Sequence, residues 1–211
     1  MKAIALGQYE GARYHPFTLV DDEIKAIFSD VMEIECTEDY AALQADKLKT
    51  YDLFISYAEF SDQEITEEQA QALVSYVEDG GGLLVIHNGI SLQRNKQLAQ
   101  LIGGRFTGHP EYTALPIRYN QGCHHPVIAG LQDFTMDEEP YRFELSPHES
   151  TIIIADYEHE GERWPAAWVH TYGAGRVVYL MPGHHLPSFQ IEEVRKLIRN
   201  GGMWAAGKGG A

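Results

Sequence analysis

A run of glycine and apolar residues at 80–89, Gly-Gly-Gly-Leu-Leu-Val-Ile-His-Asn-Gly, most constrains the fold of this 211-residue chain. Three successive glycines end a helix, four apolar residues form a short buried strand, and His87 to Gly89 turn sharply into the next helical pattern. In an open parallel α/β sheet, ligands bind outside the carboxyl ends of the strands. We therefore predict that His87 lies at the carboxyl end of a strand, where chemistry is expected. A nucleophile elbow has the same build of strand, turn and helix, but this elbow offers an imidazole.

The first half of the chain alternates between apolar runs and amphipathic stretches. The apolar runs predict parallel strands at Lys2–Leu6, Val31–Cys36, Tyr51–Tyr57 and Leu83–Ile86. Helical spacing predicts helices at Phe17–Ser29, Tyr40–Leu48, Thr66–Glu78 and Leu92–Ile102. This βαβαβαβα order is typical of a doubly wound α/β fold with a parallel core.

The second half predicts antiparallel additions to one edge of this sheet, starting with strand-like runs at Thr113–Tyr119 and Thr151–Tyr157. Two further runs, Ala166–Thr171 and Arg176–Met181, flank a Tyr-Gly-Ala-Gly turn and predict an antiparallel hairpin. If the second run of this hairpin lies parallel to the core strands, His184 falls at the same edge as His87.

The chain ends in an amphipathic pattern at Ile191–Ala206, which predicts a helix with Trp204 in the core. A glycine-rich segment at 207–211 follows, and we predict that it is flexible. With 44% hydrophobic residues the chain can bury one good core, so we expect a single domain over 1–211.

Charge and cysteine content exclude several classes of function. The 31 acidic and 16 basic residues give a formal charge of -15, which opposes binding to nucleic acid or to an anionic membrane surface. Neither a membrane-spanning run nor a signal peptide is apparent, so we expect a cytoplasmic protein. Two cysteines, Cys36 and Cys123, form neither a disulfide framework nor a CxxC pair. We expect both thiols to be inert.

The loop at 7–16 is long for a connection between a strand and a helix, and it carries polar and aromatic residues suited to a small ligand. Tyr9 and His15 are the candidate ligand-binding residues in it. Alternatively, Pro16 simply starts the following helix and His15 is an exposed residue before it, which explains the pattern equally well.

Several short motifs, in this order, resemble those of the ThuA-like, or trehalose utilisation, family over essentially the whole chain. They are Gly80–His87, Gly103-Gly-Arg-Phe-Thr-Gly-His109-Pro110, His125-Pro-Val-Ile-Ala-Gly-Leu131, Asp137-Glu-Glu-Pro-Tyr141, Gly173–Tyr179, Gly183-His184 and Met203-Trp-Ala205. The resemblance implies a flavodoxin-like core related to class I glutamine amidotransferases, and a role in the use of trehalose, related disaccharides or modified sugars. It also singles out Glu139 as a functional carboxylate.

The amidotransferase chemistry itself is not expected. It requires an elbow cysteine of lowered pKa beside a histidine that a glutamate orients. Here the elbow holds His87, and His184 is followed by His185-Leu186 rather than by proline and glutamate. We predict a histidine-rich site instead.

We predict His87, Glu139 and His184 as catalytic residues, and a sugar-binding set of His15, Tyr9, Asn88, His109 and Tyr141. Imidazoles with a carboxylate serve either general acid/base chemistry or a divalent metal such as zinc. If a metal is bound, its ligands are expected among His87, His109, Glu139 and His184. A sugar-modifying enzyme is the leading hypothesis, and a non-catalytic sugar-binding or regulatory protein is the alternative. A small-molecule sugar is the expected partner, and a homodimer is one assembly to test.

Structural roles compete with these assignments. Glu138 and Glu139 also fit a solvated acidic face. For the remaining histidines a structural or exposed role is favoured; these are His124, His125, His148, His159, His170 and His185.

Overall fold

The computed structural model describes residues 1–61 and 63–207. The predicted flexible tail at 207–211 therefore lies outside the described residues, apart from Gly207.

The strands form one large sheet and one small sheet. In chain order they are β1 Lys2–Leu6, β2 Glu33–Thr37, β3 Leu53–Ser56, β4 Gly82–Ile86, β5 Gly104–Gly108, β6 Thr113–Tyr119, β7 Phe134–Glu138, β8 Arg142–Leu145, β9 Ile152–His159, β10 Glu162–Tyr172 and β11 Gly175–Leu180. The large sheet has the order β2-β1-β3-β4-β11-β10-β9-β6-β7, and β5 pairs with β8 in the small one.

Five neighbouring strands of the large sheet, β2, β1, β3, β4 and β11, are parallel, in the flavodoxin-like order. The predicted α/β fold is thus confirmed, including the parallel placement of the second hairpin strand. The remaining strands of this sheet pair antiparallel, as predicted for the second half. β1 has the predicted bounds and β4 begins one residue earlier than predicted, whereas β2 and β3 each begin two residues later, because the first residues of their runs belong to the preceding loops.

Helices cover both faces of the parallel strands. They are α1 Val20–Phe28, α2 Ala45–Leu48, α3 Glu67–Glu78, α4 Lys96–Ile102, α5 Leu186–Phe189 and α6 Glu192–Ala205. Helices α1, α5 and α6 pack together on one face, and α2, α3 and α4 pack together on the other. Trp204 on α6 is buried in the core, as expected. Among the described residues, no helix is long and apolar enough to cross a membrane.

The turn after β4 differs from the expected entry into a long helix. Residues His87–Arg94 form a 3-10 helix, and the regular helix α4 starts only at Lys96, capped by the Asn95 side chain. His87 itself has a φ of 45°, a left-handed conformation that is costly for a residue with a Cβ. Gly89 is required by close approach, because a Cβ there would lie 2.0 Å from the Ser56 carbonyl oxygen.

Candidate metal centre

The carboxyl ends of the parallel strands bring distant segments to one edge of the sheet. His15 follows β1, Glu59 follows β3, His87 follows β4 and His184 follows β11. Glu139 comes from the loop between β7 and β8, and the pairing of β8 with β5 directs this loop toward the same edge. We expected His87, His109, Glu139 and His184 to share one cleft; the structure brings His87, Glu139 and His184 together, and His109 Nε2 lies 3.6 Å from Glu139 Oε1.

His15, His87, Glu139 and His184 each place a ligand atom within 4.8 Å of the others. We call these four residues the histidine cluster. Glu139 Oε2 lies 3.2 Å from His87 Nε2, 3.3 Å from His184 Nδ1 and 3.8 Å from His15 Nε2. His15 Nε2 lies 3.1 Å from His184 Nδ1. Two ring nitrogens that face each other at this distance need a proton or a cation between them.

Partners outside the cluster fix the rings of two of its histidines. His87 Nδ1 donates to the Met181 carbonyl oxygen at 2.6 Å, and His15 Nδ1 donates to Glu59 Oε1 at 3.0 Å. Each bond holds the proton on Nδ1 and leaves the Nε2 lone pair directed into the cluster. Ligand histidines in metalloproteins are oriented in this way by carbonyl and carboxylate partners.

Glu59 is anchored by the loop that carries His15. Its carboxylate accepts backbone N–H bonds from Arg13 at 3.1 Å, from Tyr14 at 2.8 Å and from His15. Burial works against ionisation, but the bonds from the His15 ring and from these amides outweigh it and lower the pKa of Glu59 to about 2. Glu59 thus stays charged behind His15.

The charges at the centre of the cluster favour a cation. Burial opposes ionisation of Glu139, yet the close contacts of its carboxylate with His15, His184 and His87 hold its pKa far below the usual range. Burial likewise opposes protonation of His15, but bonds to Glu139 and Glu59 raise its pKa. Complete burial lowers the pKa of His87, despite the opposing charge of Glu138 and the bond to Glu139. His87 therefore offers a neutral nitrogen beside an ionised carboxylate.

The dimensions fit a small divalent ion. A tetrahedron with metal–ligand bonds of about 2.0–2.1 Å has edges of roughly 3.3–3.4 Å. Three of the six edges come near this value: Glu139 Oε2 lies 3.2 Å from His87 and 3.3 Å from His184, and His15 lies 3.1 Å from His184. The edge from Glu139 to His15 is longer, at 3.8 Å, and all four ligand atoms lie within 4.8 Å of one another, so a bound ion would draw them closer together. Three imidazole nitrogens and one carboxylate oxygen form a donor set suited to zinc.

Glu138 connects the segment that carries Glu139 to the turn that carries His184. It is fully buried, and its Oε2 accepts from the backbone of Gly183 at 2.9 Å and of His184 at 3.2 Å. Its Oε1 accepts from the Glu139 amide at 3.0 Å. The alternative of a solvated acidic face is therefore wrong for Glu138, which positions both Glu139 and the His184 turn.

A cavity of about 620 Å³ opens above the cluster, and His15, Glu59 and Glu139 form part of its wall. Three of the predicted sugar-binding residues, Asn88, His109 and Tyr141, line it as well. Asn88 Nδ2 donates to the Tyr57 carbonyl oxygen at 2.6 Å, whereas its buried Oδ1 has no partner within the described part of the chain.

His109 and Tyr141 stand beside Glu139. His109 Nε2 lies 3.6 Å from Glu139 Oε1, close to the cluster but outside the set of four. Tyr141 packs on the His87 ring with centroids 4.1 Å apart. Burial and the charges of Glu139 and Glu138 raise the pKa of Tyr141, so its hydroxyl stays protonated.

Tyr9 lies apart from the predicted sugar-binding set. Its hydroxyl donates to Asp21 Oδ2 at 2.9 Å, and its ring packs against Phe17. It supports the start of α1 rather than the cavity.

Sequence reasoning gave Glu59 and Glu138 no functional role. Glu59 follows the end of β3, so the strand-end rule that selected His87 also points to it. Glu138 carried no such signal, because its role depends on the backbone of a distant turn.

Comparisons with known proteins agree with this architecture. A family model described as trehalose utilisation, ThuA, matches residues 11–205. A ThuA-like protein from Bacteroides uniformis has a TM-score of 0.78 at 18% identity, over 97% of this chain and 91% of that chain. A ThuA-like protein from Parabacteroides merdae has a TM-score of 0.79 at 17% identity, over 100% and 91%.

A cytoplasmic protein from Salmonella typhimurium has a TM-score of 0.69 at 14% identity, over 95% of this chain and 97% of that chain. At such low identities these likenesses show the fold alone. No curated protein matches the chain.

Proposed function

The chain belongs to the ThuA family, which is described as trehalose utilisation, and on this premise we propose that it is a sugar-processing enzyme. We further propose that it is cytoplasmic and that the histidine cluster binds a divalent metal. The observation that carries the proposal is the convergence of four ligand groups within 4.8 Å, with two of the rings oriented from outside. The contact between His15 Nε2 and His184 Nδ1 at 3.1 Å needs a proton or a cation between the rings, and a bound metal would supply that positive charge.

The cavity supports a small polar substrate. Its volume of about 620 Å³ lies in the usual range for small-molecule sites. The rings of Tyr14, Phe106 and Tyr141 line it and offer apolar faces to the C–H groups of a sugar. The His109 side chain lines the cavity and is 36% exposed, so it can exchange protons with a bound substrate.

Two cluster residues, His15 and Glu139, form cavity wall, so a bound sugar can reach the metal position. A zinc ion there would act as a Lewis acid and lower the pKa of a coordinated hydroxyl. Glu139 holds negative charge at that point, and His109 lies within reach of the same carboxylate to give or take a proton. Thiol-based amidotransferase chemistry is not proposed, since His87 occupies the elbow.

Zinc titration of chelator-treated protein tests the proposal. We expect tight, stoichiometric binding that the His87→Asn and Glu139→Gln variants lose by about 100-fold or more, beyond what an outer partner costs. His124→Asn is the matched control, because His124 is also a histidine with positive φ, at 47° against 45° for His87. Asparagine tolerates this conformation at both positions.

Equal zinc affinity in the wild type and in His87→Asn, with both proteins folded by circular dichroism, would contradict the metal site. The non-catalytic sugar-binding alternative holds if the wild type binds zinc and sugar without converting the sugar, and if His109→Asn lowers only the sugar affinity.

A further inference from the structure

Two arginines also line the cavity above the histidine cluster. Arg13 and Arg94 both line the cavity and are exposed, and among the described residues neither has an ion-pair partner. The Arg94 guanidinium donates to the Phe60 carbonyl oxygen, and the Arg13 guanidinium lies 4.9 Å from the centre of the Tyr14 ring. Both guanidinium groups are thus held in place with other N–H donors free.

The turn that fixes Arg94 is also the turn that supports the cluster. Phe60 is buried with a φ of 52°, a strained conformation for an aromatic residue. This turn places Glu59 behind His15 and directs the next carbonyl to Arg94. The cationic wall and the cluster therefore have a fixed relation to each other.

Arg94 also borders a second recess of about 340 Å³, which we call the basic recess. Its walls are formed by Gln93, Arg94, Lys96, Ala99, Gln100, Arg105 and Ser146. These described residues include three cations, a hydroxyl and two amides, and none of them is acidic.

Nearby carboxylates leave these cations unpaired. Glu67 accepts from the amides of Asn95 at 3.1 Å and Gln97 at 3.0 Å rather than from Lys96. Glu144 lies opposite Arg105 across the small sheet but forms no ion pair with it within the described chain. In a protein with 31 acidic and 16 basic residues, three adjacent cations with no carboxylate partner among the residues that the structure describes need a further explanation.

We propose that the sugar bound by this protein carries a phosphate or carboxylate group, which Arg94 and the basic recess recognise. This inference rests on the proposed function, because it extends the substrate from the cluster cavity across Arg94. A guanidinium presents paired N–H donors that match either anion, and Lys96 and Arg105 supply charge behind it. The anionic group gives orientation, while the uncharged part of the sugar lies over the cluster.

Binding of three related probes tests the proposal: glucose 6-phosphate, glucuronate and glucose. Isothermal titration with zinc-loaded and chelator-treated protein should show at least one anionic probe binding about tenfold or more tighter than glucose. Arg94→Gln should remove most of this preference, and Lys96→Gln with Arg105→Gln should reduce it further. Raised salt should weaken it, since exposed charges are screened.

Arg118→Gln is the matched control. Arg118 is an exposed arginine near the far end of β6, also without an ion pair in the described part of the structure. We expect it to leave the preference unchanged. The comparison of the two anionic probes then distinguishes a sugar phosphate from a sugar acid.

Three outcomes would overturn the inference. In the first, glucose binds as tightly as both anionic probes, or none of the three binds. In the second, the preference exists only with zinc and survives Arg94→Gln, so that the metal alone attracts the anion. In the third, inorganic phosphate binds as tightly as glucose 6-phosphate, which removes the role of the sugar. Each leaves the zinc titration of the His87→Asn variant unaffected, so failure of the metal site is recognised separately.

Discussion

Two groups of packed histidines in this protein use their rings in opposite ways. In the pair formed by His148 and His170, the ring centroids are 4.5 Å apart, and each Nε2 donates to a backbone carbonyl of α4. The acceptors are Gln100 O at 2.8 Å and Leu101 O at 2.9 Å. In the histidine cluster, by contrast, His87 and His15 donate outward through Nδ1, and their Nε2 atoms face a common centre with Glu139.

This difference distinguishes a structural histidine from a candidate ligand. Carbonyls in the last turn of a helix have no partner within it, so the His148–His170 pair completes the end of α4. The cluster instead combines outward N–H donors with an ionised Glu139 at the centre. Burial alone does not separate the groups, because His170 and His87 are both buried.

The largest expected effect concerns pH and the His148–His170 pair. Burial lowers the pKa of His170 to about 4, against the bond to the Leu101 carbonyl, which raises it. Above about pH 6.5 the ring is neutral in both states and the stability is complete. As the pH falls from 6.5 to 4, the unfolded chain binds the proton first, and about 3 kcal/mol of the free energy of unfolding is lost.

Urea unfolding of chelator-treated protein at about pH 7.5 and pH 5 measures the part of this loss that is complete by pH 5, about 2 kcal/mol. His170→Gln keeps a donor for Leu101 O and should show a smaller loss than the wild type. His124→Asn, at an exposed histidine, should match the wild type. An equal loss in the wild type and in His170→Gln would contradict the structural role of the pair.

A smaller effect is expected behind the cluster. Glu59→Gln keeps an acceptor for the amides of Arg13 and Tyr14 but removes the charge that holds the His15 proton on Nδ1. We expect zinc affinity, measured by titration against a competing chelator, to fall by about 10–100-fold.

The matched control for Glu59→Gln is Glu38→Gln. Glu38 also holds this loop, because its Oε2 accepts from the backbone of Tyr9 at 3.0 Å and of Glu10 at 3.2 Å. It contacts no cluster residue in the described structure. If both variants lose zinc equally, loop anchoring rather than orientation of His15 explains the effect.

The sequence predicted the fold better than it predicted the membership of the cluster. Apolar periodicity and glycine breaks are local, so they located the core strands to within two residues and placed His87 and His184 at strand ends. His15 looked equally like an exposed residue, because the bond to Glu59 joins segments 44 positions apart. His109 was expected among the ligands; its Nε2 lies 3.6 Å from Glu139 Oε1, outside the four ligand atoms that lie within 4.8 Å of one another. Ring orientation depends on tertiary contacts that no short motif contains.

The smallest effect is expected from replacing the two cysteines. Like the His148–His170 pair, they lie outside the histidine cluster. Burial raises the pKa of Cys36 to about 12, so this thiol is protonated and unreactive at neutral pH. Cys123 is followed by His124 and His125, but the His125 Nδ1 accepts from the Val127 amide, and burial together with Arg176 lowers the pKa of His125. The neutral His125 ring supplies no positive charge that would activate the thiol. Replacement of both cysteines by serine should therefore leave zinc affinity and probe binding within about twofold of the wild type. Loss of either property in Cys123→Ser alone would move the reactive centre away from the histidine cluster to the loop at 121–126.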